Sequence, residues 1–222
     1  MSINAIIHGM LSTGFLDIGQ RRVPINWSGK TAVFMGDSTV VGFQASVPAK
    51  RWTSLFCNAK GATESNLGVS GTRLIQDFFA SNVPIRTVAH QALFIAYGIN
   101  DMLQNNAGYT PALFKSKYQA EIPKLLDKGW DPKMIVLCTP NYMTATGYAT
   151  ATPAIDYIRH EAFNQVILEV CQQYHLVLAD FYTQIKNQAT PASFINADGI
   201  HPVDSGYSLE ANYLLAHNFM PL

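Results

Sequence analysis

Ser38 stands in Gly36-Asp37-Ser38-Thr39-Val40, and Asp198-Gly199-Ile200-His201-Pro202 stands near the end of the chain. A serine hydroxyl becomes a useful nucleophile only when a base takes its proton, and that base works best when its other ring nitrogen is held by an acceptor. His201 and Asp198, three residues apart in a Gly- and Pro-shaped loop, can supply both from one turn. Taken alone, each segment has a plainer reading: Ser38 as a helix N-cap, Asp198 and His201 as solvated loop residues. Spacing favours the chemical reading. Gly68 follows Ser38 by 30 positions and Asn100 follows Gly68 by 32, each close to the length of one βαβ unit. Successive parallel strands would therefore deliver Ser38, Gly68 and Asn100 to one edge of a sheet, the edge where open α/β folds bind ligands.

The elements needed for that delivery are legible. Residues 31–35, 92–97, 134–138 and 176–179 are short apolar runs, each with at least one β-branched residue and each ended by a turn or polar residue, and a weaker strand is expected around Asn66-Leu67. Runs apolar on both faces suit a parallel sheet covered by helices. Helices are expected over 111–128, 154–174 and 204–216. The alternation predicts a three-layer α/β/α domain, with a flavodoxin-like parallel sheet of about five strands, spanning residues 31–222. Residues 1–30 fall outside it and read as an N-terminal extension ending in a turn at Ser28-Gly29-Lys30.

These blocks resemble those of the SGNH hydrolases, also called the GDSL esterase/lipase family. Gly36-Asp37-Ser38 is similar to the family's first block, Asn66-Leu67-Gly68-Val69-Ser70-Gly71 to the second, Gly98-Ile99-Asn100-Asp101 to the third and Asp198-Gly199-Ile200-His201-Pro202 to the last. Ile99 stands where many members carry Thr, a change that leaves Asn100 available. The resemblance implies Ser38 as nucleophile, His201 as general base and then acid, and Asp198 as the group orienting the imidazole. It also implies an oxyanion hole made from the backbone N–H groups of Ser38 and Gly68 and the side-chain amide of Asn100. Asp37 and Asp101 are expected to hold loops through local hydrogen bonds.

Composition narrows the substrate. Of 222 residues, 48% are apolar and 14% charged, and the formal net charge is +0, so the electrostatic footprint of a nucleic-acid binder is missing. The expected partner is a small-molecule or carbohydrate ester, with no nucleic acid, no membrane span, no cofactor and no metal. Loops 104–110 and 141–153 carry almost no charge and are expected to shape the pocket. Cys57, Cys138 and Cys171 have no metal or disulfide spacing and read as buried small hydrophobes. Met1–Met10 lacks the pattern of a secretory signal, so the chain as given reads as cytoplasmic, with secretion open if a signal was removed.

Other classes fit less well. An α/β-hydrolase elbow needs Gly-x-Ser-x-Gly, but Val40 and Thr72 occupy the last position around Ser38 and Ser70. A two-metal phosphoesterase drawing on Asp37, Asn100, Asp198 and His201 would need a richer ligand set. An acyltransferase using the same residues, or a non-catalytic carbohydrate-binding module on this scaffold, stays open.

Overall fold

The computed structural model describes residues 27–105 and 108–216. Five parallel strands run β1 (Thr31–Gly36), β2 (Thr63–Asn66), β3 (His90–Ala96), β4 (Ile135–Cys138) and β5 (Val177–Ala179), ordered β2-β1-β3-β4-β5 across the sheet. This is the flavodoxin-like order expected. Helices Pro111–Asp127, Tyr157–Tyr174 and Asp204–Ala216 occupy the segments predicted for them, the first two ending or starting within a few residues of expectation.

Both faces of the sheet are covered because alternate strand residues feed separate cores. Val33 and Met35 of β1, Leu93 and Ile95 of β3 and Leu137 of β4 join the Pro111–Asp127 and Tyr157–Tyr174 helices on one side. Ala32, Phe34, Ala92, Phe94, Val136 and Cys138 face the Trp52–Lys60 and Asp204–Ala216 helices on the other. Phe34 stacks on Phe94 at 4.8 Å, and Trp52 meets Phe34 edge-on at 5.2 Å. Trp27 packs against Phe56 at 5.3 Å. The cysteines are free and buried. Residues 1–26, which contain most of the expected extension, lie outside the described residues.

β2 covers Thr63–Asn66, earlier than the expected Asn66-Leu67. As an edge strand it is polar and half-exposed, so the apolar signal used for the other strands is absent. Its side chains are nonetheless engaged: Glu64 accepts from Arg51 Nε at 3.0 Å and from Ser54 Oγ at 2.7 Å.

Two glycines let the chain cross the strand ends closely. At Gly36, the last residue of β1, a Cβ would lie 2.3 Å from Val40 Cγ2 and 2.4 Å from the Ala96 carbonyl oxygen. At Gly68, just past β2, it would lie 2.9 Å from Val40 Cβ and from the Val41 backbone nitrogen. The short helix Ser38–Val41 thus rests on both positions. Because the Ala96 oxygen is backbone of a central strand, paired there with Gly36 itself, Gly36→Ala should lower stability by about 1–3 kcal/mol, the usual cost of overpacking. Urea unfolding measures this, and an unchanged midpoint would contradict the packing argument.

Candidate active site

Ser38 opens the helix that follows β1, and Asp37 is that helix's N-cap. The Asp37 Oδ1 accepts from Thr39 N and Thr39 Oγ1, both at 2.9 Å, which fixes the turn and leaves Ser38 at the first helical position, where a helix leaves backbone N–H groups unpaired. Ser38 is 8% exposed. Its Oγ lies 2.8 Å from His201 Nε2, and His201 Nδ1 lies 2.7 Å from Asp198 Oδ2. A carboxylate can only accept, so Nδ1 carries the ring proton and Nε2 is left as the acceptor for the serine hydroxyl.

Asp198 does two jobs with two oxygens. Oδ2 aims the imidazole, while Oδ1 accepts from the backbone nitrogens of Ile200 at 2.8 Å and His201 at 3.0 Å. Burial pushes its carboxyl upward, but these N–H groups and the imidazole outweigh it and hold the group below the usual carboxylate value. It therefore stays ionised in neutral solution. The turn is locked from outside: Asn141 Nδ2 donates to Ile200 O at 2.8 Å, Thr144 N to Gly199 O at 2.9 Å and Asn196 N to His201 O at 2.8 Å. Gly199 has φ +77°, and a Cβ there would sit 2.2 Å from Gly147 N, so the two loops touch backbone to backbone.

Loop 141–153, expected to shape the pocket, acts here as the buttress of the catalytic turn. In the other expected pocket loop, Asn106 and Ala107 lie outside the described residues.

Gly68 and Asn100 emerge from β2 and β3, the two neighbours of β1. Asn100 Nδ2 donates one proton to Thr72 O at 3.0 Å, which orients the amide and leaves its second N–H available. The Gly68 N–H is engaged differently from expectation, donating to Asn66 Oδ1 at 3.0 Å. Asn66 Nδ2 in turn donates to Val40 O at 2.7 Å, so one amide clamps the β2 end to the serine helix. Asn66 lies in the second motif block, where the sequence marks it only as strand. Its role in such a bridge leaves no mark in a single sequence.

Asp101 accepts from Leu74 N at 2.8 Å and Ile75 N at 2.9 Å, which ties the Ile99–Leu103 helix to the segment following Gly71. The expectation that Asp37 and Asp101 hold loops is what these contacts describe. Three apolar side chains lie at the site: Phe43 packs edge-on to the His201 ring at 4.7 Å and is half-exposed, and Leu67 and Val69 flank Gly68 and are exposed. Phe43 is a further residue that the sequence alone does not single out.

Comparison with known proteins agrees with this geometry. Residues 34–209 match the GDSL-like Lipase/Acylhydrolase family. The chain belongs to that family and is an ester hydrolase. Its structure resembles the lipase/acylhydrolase from Enterococcus faecalis, at 21% identity with a TM-score of 0.69, over 84% of this chain and 94% of that one. It also resembles a carbohydrate acetylesterase family member from Sinorhizobium meliloti, at 16% identity with a TM-score of 0.65, over 83% and 95% of the two chains. The acetylxylan esterase Axe2 from Geobacillus stearothermophilus is similar at 17% identity, with a TM-score of 0.60 over 87% and 96%. At these identities the likeness is one of fold. No curated protein sequence matches the chain. Among the described residues no helix is long and apolar enough to cross a membrane.

The site carries a pH signature separable from catalysis. Burial lifts the Asp101 carboxyl to about 6, against the downward pull of the backbone N–H groups of Ile75 and Leu74. A raised folded-state value means that between about pH 4 and 6 the native protein retains a proton the unfolded chain has released, so this group's contribution to stability is lost as pH rises through that window. Asp101→Asn removes the titration. Whatever fixed loss the substitution brings, the variant should gain about 2–3 kcal/mol relative to wild type between pH 4 and pH 7. Urea unfolding at the two pH values measures it, and a pH-independent difference would contradict the assignment.

Proposed function

We propose that this protein hydrolyses small, uncharged carboxylic esters, with acetyl or other short acyl groups on carbohydrate as the favoured class, through an acyl-enzyme on Ser38. The observation that carries the reading is the continuous relay from Ser38 Oγ to His201 Nε2 and from His201 Nδ1 to Asp198 Oδ2, at 2.8 and 2.7 Å. In the first half-reaction Ser38 Oγ attacks the ester carbonyl carbon while His201 Nε2 takes the hydroxyl proton. The imidazolium formed is stabilised by ionised Asp198. The tetrahedral adduct collapses when His201 returns that proton to the departing alkoxide, so the alcohol leaves and the acyl group stays on Ser38. Water then enters, loses its proton to His201, and releases the acid with Ser38 restored.

The developing oxyanion would be met by the Ser38 N–H and by the second N–H of Asn100 Nδ2. The Gly68 N–H would contribute only by sharing its proton with Asn66 Oδ1 or leaving it. Support for an uncharged substrate comes from the apolar side chains of Phe43, Leu67 and Val69 near the site, and support for a short acyl group from structural similarity to proteins described as an acetylxylan esterase and a carbohydrate acetylesterase family member.

A panel of chromogenic esters from acetyl to long acyl, and acetylated sugars, tests this on wild type, Ser38→Ala and Asn100→Ala. Wild type should favour short chains, and Ser38→Ala should be inactive on all of them. Asn100→Ala should lose about 10²–10³ in kcat with a much smaller change in KM, because its donation strengthens only in the transition state. Retained activity in Ser38→Ala would overturn the acyl-enzyme, and an unchanged kcat in Asn100→Ala would remove it from the oxyanion hole.

A further inference from the structure

The turn carrying Asp198 and His201 is pinned by a short stretch of chain that is poorly able to hold itself. Asn141 Nδ2 and Thr144 N donate to the Ile200 and Gly199 carbonyls, and Gly147 meets Gly199 backbone to backbone. All three lie in segment 140–148, which leaves the end of β4. Its regular structure is the four-residue helix Ala145–Tyr148, and Thr144 makes no side-chain cap for it. Helices shorter than about 12–15 residues are marginal in isolation. Contacts from outside must therefore fix the segment in place.

His160, on the Tyr157–Tyr174 helix, supplies one. Its side chain is fully buried, and Nδ1 lies 3.1 Å from Tyr148 Oη, at the end of the short helix. The ring sits between two tyrosines, tilted on Tyr182 at 4.5 Å and edge-on to Tyr148 at 5.9 Å. Burial holds the imidazole pKa down at about 3, against the carbonyl of Pro140, which pulls it up. The ring is therefore neutral in neutral solution. Nε2 completes no hydrogen bond among the described residues, so Tyr148 is the firm polar partner of this side chain. Removing that hydroxyl would leave a second buried ring nitrogen unpaired, which is costly.

We propose that His160 is a positioning residue for ester hydrolysis: through Tyr148 it holds segment 140–148 against the Asp198–His201 turn and so keeps the His201 imidazole aimed at Ser38. The path is a chain of direct contacts. His160 Nδ1 meets Tyr148 Oη, Tyr148 N donates to Thr144 O at 3.1 Å across one helical turn, and Thr144 N donates to Gly199 O at 2.9 Å, two residues before His201. Small misplacements of a catalytic group are expensive in rate, so a brace at this remove has a kinetic consequence. The inference rests on the esterase reading, because it assigns a part in that reaction.

The test compares full-length wild type, Tyr148→Phe, His160→Leu and the double variant. Tyr148→Phe deletes only the hydroxyl and keeps the ring, so it serves even if His160→Leu fails to fold. Steady-state hydrolysis of p-nitrophenyl acetate gives kcat and KM, urea unfolding gives the folded fraction, and proton nuclear magnetic resonance follows the His201 Nδ1 proton shared with Asp198. The expected result is a kcat lowered about tenfold to a hundredfold per folded molecule with little change in KM, together with a shifted or broadened His201 proton signal. Because both single variants delete one contact, the double should lose no more than the worse single. A purely structural role would lower the urea midpoint and leave kcat and that signal alone, which would overturn the proposal, as would losses that multiply in the double. If wild type hydrolyses no ester, the esterase reading falls by itself, and the His201 signal in Tyr148→Phe still decides whether the brace positions the ring.

Discussion

The imidazole of His201 is held at both nitrogens, and the rest of the site is arranged so that neither contact is lost. A proton relay tolerates little misplacement, because hydrogen-bond strength falls steeply with distance and angle and a mispositioned catalytic group forfeits much of the rate. Asp198 meets the demand by folding its own turn with one oxygen and aiming the ring with the other. That turn is then pinned from the β4 side by Asn141 and Thr144. Phe43 lies against the ring itself, and its carbonyl accepts from Tyr207 Oη at 2.7 Å, which ties the loop after the serine helix to the Asp204–Ala216 helix. Ser38 and His201 are thus cross-braced by elements far apart in sequence.

The acidic side chains divide by environment, and Asp198, which contacts His201, falls on its own side of the division. Asp37 and Asp101 are buried, pushed up to about 6 chiefly by desolvation, and spend their oxygens on backbone and threonine donors. Glu210 is fully buried and raised further, with Asp37 adding to the effect. Asp198 alone among these is partly open to solvent and held below its ordinary value, by the donors gathered round it. A group that must stay negative beside a forming imidazolium needs that setting. The sequence already assigns Asp37 and Asp101 to holding loops, and their burial agrees with that assignment.

Much of this was legible in the sequence where one residue type has one dominant physical use. Strands apolar on both faces signalled a parallel sheet, and the spacing from Ser38 to Gly68 to Asn100 signalled convergence of their ends. Legibility failed where a role depends on a distant partner. The Trp52–Lys60 helix begins after Arg51 with no side-chain cap, so it carries no start signal. The polar β2 hides its strand character in ion-pair and amide contacts. Asn66 is an unremarkable edge residue until Val40 O and Gly68 N are seen on either side of its amide. The motif points to the N–H of Gly68, yet its most evident constraint is steric, since a side chain would strike the serine helix.

Activation of Ser38 as a nucleophile by His201 can be read from the rate of covalent labelling. Wild type, Ser38→Ala and His201→Ala are treated with a fluorophosphonate and followed by intact-mass and peptide mass spectrometry over time. The account predicts a single phosphonyl adduct on Ser38 in wild type, none in Ser38→Ala, and labelling slowed by about 10²–10⁴ in His201→Ala, the usual worth of a positioned general base. An adduct on another residue, or equal labelling rates with and without His201, would contradict it.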